Sequence, residues 1–113
     1  MIRINVTRSE EGSIQSFVLE GHAKFDVHGQ DIVCSAVSAI SFGSINAVLS
    51  LTGVELEIDQ GGEGGYLKCV IPDALSNDPS FDQVQLLFEG MLVSLGTIEL
   101  DYGDYLKITD PKV

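Results

Sequence analysis

Two residues with acid–base and nucleophilic chemistry, His22 and Cys34, lie twelve positions apart in the first third of the chain. A thiolate attacks carbonyl carbons, and an imidazole can take its proton and later protonate the leaving group. We predict that Asp31 caps a helix that carries Cys34 in its first turn, where the helix dipole favours the thiolate. Free N–H groups of that turn, including that of Cys34, would then face an oxyanion. The pair predicts covalent thiol catalysis.

The spacing by itself also fits a structural role, because free cysteines are often small buried apolar side chains. The sequence pattern by itself favours a structural role for Cys34. Cys69, next to Lys68 in a predicted strand, fits it better still, and we interpret it as structural. Ser38 lies one helical turn after Cys34, where it could hydrogen-bond near the site or simply permit close helix packing.

A metal site is disfavoured by the spacing of the candidate ligands. His28 lies six residues from both His22 and Cys34, which lacks the short paired intervals of zinc sites, and no fourth ligand is evident. We interpret His28 as a solvated loop residue and expect no cofactor. A redox role is weak because neither cysteine has a C-x-x-C partner.

Composition excludes several classes of function. The 113 residues carry 6 Lys plus Arg against 17 Asp plus Glu, a net charge of -11, which would repel nucleic acid and anionic lipid. Hydrophobic residues make up 44%, enough for one folded domain over residues 1–113. We expect no membrane role, since we identify no apolar run that approaches about 20 residues. The N-terminus lacks a secretory pattern, which predicts a cytoplasmic protein.

The predicted elements follow the order β-β-α-β-β-α-β, an α+β fold with a mainly antiparallel sheet packed with two helices. Apolar alternation and helical spacing place the elements at residues 2–7, 14–20, 31–51, 54–58, 66–71, 78–98 and 105–108. Acidic residues alternate along the third strand, and a glycine-rich turn follows it. We interpret them as a solvated face and a flexible hairpin tip.

The segment from Gly21 to Gln30 lacks periodicity and is long for a loop in a small domain. Gly21 and Gly29 lie near its two ends, where glycine permits backbone angles closed to other residues. We therefore predict a mobile lid hinged at these glycines, whose ordering limits substrate entry.

The sequence Gly21-His22-Ala23, then Gly29, then Asp31-Ile32-Val33-Cys34-Ser35-Ala36-Val37-Ser38, resembles the bacterial ribosomal-processing cysteine proteases. The resemblance extends over essentially the whole chain. One departure is Ser35, where the family pattern has alanine.

The resemblance implies a homodimeric cytoplasmic endopeptidase without metal or cofactor. It would remove a short N-terminal extension from a large-subunit ribosomal protein precursor, cutting after bulky apolar residues. Carried onto this chain, the nucleophile is Cys34, the general base is His22, and Asp31 and Ser38 have supporting roles. Gly21 matches a glycine that would let the loop move.

Two features of the chain fit these implications independently. An acidic protein attracts basic ribosomal proteins. The apolar helix of residues 33–51 and the apolar stripe of residues 84–98 together exceed what one sheet covers, which predicts a symmetric dimer. The alternative hypothesis is a non-catalytic, ribosome-associated protein-binding module in which Cys34 is merely packed.

Overall fold

The computed structural model describes residues 1–21, 28–61 and 65–112, and only the backbone of residues 28–31. Its elements confirm the predicted order and the α+β class. In chain order they are β1 (Ile2–Arg8), β2 (Ile14–Glu20), α1 (His28–Thr52), β3 (Glu57–Asp59), β4 (Tyr66–Val70), a 3-10 helix (Asp73–Asn77), α2 (Phe81–Tyr102) and β5 (Leu106–Thr109).

The five strands form one sheet in the order β3-β4-β2-β1-β5. Three of the four pairings are antiparallel, and only β1 and β5 run parallel. Phe17 on β2 lies opposite Val6 on β1 and Cys69 on β4. The sheet is therefore mixed but mainly antiparallel, as predicted.

The core lies on one face of the sheet, under the two helices. Along β1, Ile2, Ile4 and Val6 are buried while the alternate residues are exposed, the pattern of a strand covered on one side. Phe17 of the sheet meets Phe88 of α2 edge to face, with ring centroids 5.1 Å apart. The fold consists of two layers, a sheet and a pair of helices.

The second helix has one face inside the core and a row of apolar side chains on the outside. Its predicted stripe is confirmed, and Val84, Phe88, Met91 and Leu95 are buried within this single chain. A second row consists of large side chains with 73%, 72% and 88% exposure, namely Leu86, Val93 and Leu100. Because these residues are seven apart, they lie in one line along the helix.

The first helix begins at His28, three residues earlier than predicted. Gly29 made this turn hard to predict because glycine is a poor helix former. Its cost of about 1 kcal/mol is offset by the 23 helical residues that follow. His28 and Gly29 are thus helical and not loop residues, and Asp31 is not the N-cap.

Cys34 is the seventh residue of α1, so its N–H lies beyond the first four, which have no partner within the helix. The prediction of a free N–H at Cys34 is wrong.

The segment Ile32–Thr52 is 21 residues long and apolar enough, by length and composition, to cross a membrane. The expectation that no apolar run reaches this length was therefore wrong, because small Ala, Gly and Ser residues interrupt the aliphatic ones without adding charge. The observation is weak evidence for a membrane, since core helices of soluble proteins share this composition. In this chain Val33, Val37, Ser41 and Val48 of the segment are buried, although only 22% of its apolar window is buried within this single chain.

Other boundaries also differ from the predictions, most of them by one residue. The second helix ends at Tyr102, four residues later than predicted. The third strand begins at Glu57 and not at Val54, because α1 ends at Thr52 and the Thr52 hydroxyl still accepts the Val54 N–H at 3.2 Å. The second helix begins at Phe81 after an unpredicted 3-10 turn, and Ser80 is its N-cap residue without a side-chain capping bond.

Candidate active site

A pocket of about 260 Å³ lies between α1 and the ends of three strands that meet there. The half-buried Cys34 lines it from the helix. The other lining residues are Ile2, Leu19, Glu20, Gly21, Val37, Ser38, Phe42, Gln60, Gly65, Tyr66 and Leu67. The fold thus places a cysteine in a concave site, next to the segment that carries His22 in the sequence.

The α1 side chains that line the pocket include three residues spaced four apart. Cys34, Ser38 and Phe42 all line it, and residues four apart lie on one face of a helix. The prediction that Ser38 shares a face with Cys34 is confirmed. Its supporting role in catalysis stays a prediction.

The opposite wall is mostly apolar. Ile2 at the start of β1, Leu19 near the end of β2 and Leu67 in β4 are buried core residues that reach the pocket surface. Tyr66 and Glu20, paired across β4 and β2, add a phenol and a carboxylate. Such a lining favours apolar side chains, with a few polar groups to orient them.

Gly21 is fixed at the rim of the pocket by its backbone. Its φ of 106° lies in the region that favours glycine, and its N–H donates to the Gly65 carbonyl oxygen at 2.9 Å. The Met1 carbonyl oxygen lies directly over the position a Cβ would take. Gly21 therefore satisfies a close backbone packing requirement, and its role as a hinge stays a prediction.

Several predicted site residues lie wholly or partly outside the described part of the chain. His22 lies outside the described residues, as do the side chains of His28 and Asp31. The structure brings Cys34, Ser38 and Gly21 together, and it places Gly29 in the first turn of α1 rather than at the end of a loop. The His22–Cys34 dyad and the hinge roles stay predictions.

Cys69 is a structural thiol, as predicted. It is fully buried in β4, and desolvation raises its pKa to about 12, so the thiol is neutral near pH 7. The neighbouring Lys68 is exposed on the other face of the strand.

The acidic strand β3 is a solvated edge, as predicted, with Glu57, Ile58 and Asp59 all exposed. Among the residues that the structure describes, no three His, Cys, Asp or Glu side chains converge to hold a metal ion.

Comparison with protein families decides the class of the chain. The family described as Cysteine protease Prp matches residues 1–107. The chain belongs to the cysteine protease Prp family. Membership makes it a cysteine protease, and the resemblance seen in the sequence is confirmed.

Curated relatives in the Prp family align over nearly their full length. The chain is 49% identical over 110 residues to the ribosomal processing cysteine protease Prp of Bacillus subtilis (strain 168), covering 96% of each. It is 36% identical over 108 residues to the protein of that name from Staphylococcus aureus (strain Mu50 / ATCC 700699), covering 96% of this chain and 97% of the other.

Solved Prp structures share the fold. The S. aureus Prp in complex with a substrate peptide superposes with a TM-score of 0.85 at 34% identity, covering 96% of this chain and 98% of that one. The S. aureus Prp with a covalently linked product peptide gives a TM-score of 0.83 at 36% identity and the same coverage. The second complex shows that a Prp protease holds product covalently.

Much of the pocket lining was not predicted from the sequence. Phe42 could have been found from its position eight residues after Cys34, which puts it on the same helical face. Tyr66, Leu19 and Ile2 carried no such signal, because the sheet brings them to the helix from distant parts of the chain.

Proposed function

We propose that this chain is a cysteine endopeptidase that removes a short N-terminal extension from the precursor of a large-subunit ribosomal protein. Cys34 is the nucleophile and His22 the general base, with Asp31 and Ser38 in supporting roles. The observation that carries the proposal is the position of Cys34, half-buried in a pocket between α1 and the strand ends. Relatives over the full chain are named for ribosomal processing.

The reaction proceeds in two balanced steps. The imidazole of His22 takes the Cys34 proton, the thiolate attacks the scissile carbonyl, and the C–N bond breaks as the imidazolium protonates the leaving amine. The N-terminal fragment is then a thioester on Cys34. Water, deprotonated by the same imidazole, attacks that thioester, releases the carboxylic acid and returns the thiol.

The charge of the chain supports a ribosomal substrate. A net charge of -11 attracts basic proteins over long range and raises their rate of encounter, an effect that salt weakens. The same charge disfavours nucleic acid as a direct partner. The proposed location is the cytoplasm, where ribosomal precursors are made.

The test is cleavage of the purified ribosomal precursor, read by intact mass. Cys34→Ala and His22→Ala should each abolish cleavage with unchanged far-UV circular dichroism, whereas Cys69→Ala should retain it. Full turnover by the Cys34→Ala protein contradicts thiol catalysis. Binding of the precursor without cleavage by the wild-type protein would favour the alternative, a non-catalytic ribosome-associated module.

A homodimer is part of the proposal. The predicted stripe on α2 is buried inside one chain, and Leu86, Val93 and Leu100 form an outer row on the same helix with 72–88% exposure. The large apolar side chains that α1 exposes, Ile32, Phe42, Leu49 and Leu51, are less exposed, at 40–71%. Three large exposed side chains in one line on one helix form a self-complementary seam for a two-fold contact. We propose this row as the dimer surface.

A further inference from the structure

A second pocket lies at the other end of the sheet from Cys34, where β2 begins and β4 ends. Its volume is about 470 Å³, within the roughly 300–1,000 Å³ of pockets that bind ligands. Its walls come from four parts of the chain, and they include Glu11 of the β1–β2 turn, Ile14 of β2, Ile71 and Asp73 after β4, and Phe81 of α2. We call it the acidic pocket.

The acidic pocket carries negative charge and no positive charge. Glu11 and Asp73 are exposed, and none of the lining residues is Lys, Arg or His. Within the part of the chain that the structure describes, neither carboxylate forms an ion pair. Arg8 is the cation nearest to Glu11 in the sequence, and it is bound to Glu89 and Asp110. The two carboxylates are therefore open to a cation that a ligand supplies.

The other side chains of the acidic pocket favour an organic cation on an aliphatic stem. Ile14 and Ile71 are buried core residues, and Pro72 and Phe81 are half-buried beside them. Apolar surface covers the methylene groups of Lys and Arg, and an aromatic face attracts their charge. No third metal ligand joins the carboxylates among the described residues. The pocket thus matches a Lys or Arg side chain in both its stem and its charged end.

Hydrogen bonds fix the walls of the acidic pocket in place. The Gln85 side chain accepts from the Ile14 N–H at 2.8 Å and donates to the Ile14 carbonyl oxygen at 2.9 Å. The Ile71 N–H donates to the Gln15 carbonyl oxygen at 2.9 Å, which joins the two strands at this end. Because the walls are already ordered, a ligand does not bear the cost of ordering them.

The acidic pocket and the pocket of Cys34 lie at opposite ends of β2. Ile14 starts the strand in the first pocket, and Glu20 ends it in the second. Six steps of about 3.3 Å separate these two residues by about 20 Å. A partner that occupies both pockets therefore needs at least about six extended residues between them. A peptide confined to the cut site is too short to do so.

We propose that the acidic pocket is a docking site for a Lys or Arg side chain in the mature part of the ribosomal substrate, away from the site of cleavage. The inference rests on the proposed function, which supplies the partner. Charge complementarity selects this occupant, because the pocket is anionic on a chain of net charge -11 and ribosomal proteins are basic. Docking there holds the whole precursor more tightly than a short peptide.

The test compares two purified probes that bind the inactive Cys34→Ala protein, with each Kd measured by isothermal titration calorimetry. One probe is the whole ribosomal precursor. The other is a peptide of its extension that stops about four residues after the cut, which is about 13 Å and short of the acidic pocket.

Two double variants of the Cys34→Ala protein are compared with each probe. Glu11→Gln with Asp73→Asn removes both charges of the pocket with little change in shape. Glu10→Gln with Asp82→Asn is the matched control, because it removes two charges from neighbouring exposed residues that do not line the pocket. Both pairs change the net charge of the chain equally, so long-range attraction is weakened to the same extent.

We expect the pocket variant to weaken binding of the precursor about tenfold, as the loss of charge-assisted hydrogen bonds to one side chain allows. The control should weaken it less than about threefold, because it loses long-range attraction alone. For the short peptide, the two double variants should differ by less than about twofold, since the peptide ends before the pocket.

Equal losses for the two double variants would show that net charge alone matters and would overturn the docking site. Equal losses for the precursor and the short peptide, or no binding of the precursor, would also overturn it. Cleavage of the precursor by the wild-type protein, read by intact mass, tests the proposed function separately. Cleavage with equal losses in the two double variants refutes only the docking site. Binding that depends on the pocket, without cleavage, refutes only the protease assignment.

Discussion

The backbone of Met1 lies directly against Gly21, and a Cβ on Gly21 would overlap with the Met1 carbonyl oxygen. Next to it, the Ile2 N–H donates to the Tyr105 carbonyl oxygen at 2.8 Å, and the Gly21 N–H donates to Gly65. The start of β1 therefore packs against the residue that precedes His22. Gly21 is required at this point for its lack of a side chain as well as for its backbone angle.

Gly21→Ala should lower the free energy of unfolding by about 3 kcal/mol, from a left-handed backbone angle and from overlap with Met1. Gly12→Ala is the matched control, because Gly12 has a similar φ of 92° but open space around its Cβ position. It should cost only about 1–2 kcal/mol. Urea denaturation measures both. Equal losses would show that the contact with Met1 does not matter.

The lid hypothesis requires a further comparison on the Gly21→Ala protein. A stiffened hinge should reduce cleavage of a long peptide more than alkylation of Cys34 by a small reagent. Both rates are measured at a temperature well below the midpoint of unfolding. Equal reductions mean that the substitution damaged the site itself and that Gly21 is not a hinge.

The two cysteines should differ in reactivity in the folded protein. Cys34 is half-buried in an open pocket, whereas Cys69 is fully buried with a pKa raised to about 12. Iodoacetamide at pH 7.5 should add one label per native chain and two labels in denaturant, read by intact mass. The Cys34→Ala protein should take no label until it unfolds. Rapid native labelling of that variant would contradict the burial of Cys69.

A buried ion-pair cluster joins the C-terminal segment to the sheet and to α2. The Arg8 guanidinium, with only 4% of its side chain exposed, donates to Asp110 at 2.7 and 2.9 Å and to Glu89 at 2.7 and 3.0 Å. Arg8→Met should destabilise the chain by about 3 kcal/mol at pH 7, because it leaves the buried Asp110 without its cation and Glu89 with only the exposed Lys112. Lys112→Met is the control, since the exposed Lys112 lies 3.6 Å from Glu89 and should contribute under about 1 kcal/mol.

The same cluster sets a dependence of stability on pH. Hydrogen bonds from Arg8 lower the pKa of both Glu89 and Asp110 below the ordinary values of about 4. Groups with a depressed folded pKa stabilise the fold above the unfolded pKa and lose that effect as pH falls through the folded pKa. The free energy of unfolding should therefore decrease below about pH 5. Urea denaturation measured from pH 7 to pH 3 should show a smaller decrease in the free energy of unfolding for Arg8→Met than for the wild-type protein. An identical decrease would refute the role of Arg8 in lowering the two pKa values.

The proposed dimer makes a prediction about α2. Val93→Glu places a charge in the middle of the exposed row and should convert the dimer to a monomer at micromolar concentration, as measured by sedimentation velocity. Leu51→Glu, at an equally exposed apolar position on α1, should remain dimeric. A monomeric wild-type protein, or a dimeric Val93→Glu protein, would contradict this surface.

Local patterns in the sequence were sufficient to predict the order of helices and strands and to identify Cys34 as the candidate nucleophile. Alternation in β1 placed Ile2, Ile4 and Val6 in the core, and helical spacing identified the stripe from Val84 to Leu95. These predictions held because hydrophobic periodicity records which face of an element is buried, and that information is local. The motif around Cys34 identified the family, and the comparisons confirmed it.

The tertiary structure alone decided what surrounds Cys34 and where α1 begins. Glycine at position 29 opposes helix formation locally, and the long helix that follows outweighs it. Phe42 could be placed by its helical phase, but Leu19, Tyr66 and Leu67 meet it only because the sheet order brings β2 and β4 beneath α1. Such contacts depend on strand order and register, which join residues distant in sequence and leave no periodic signal in either segment.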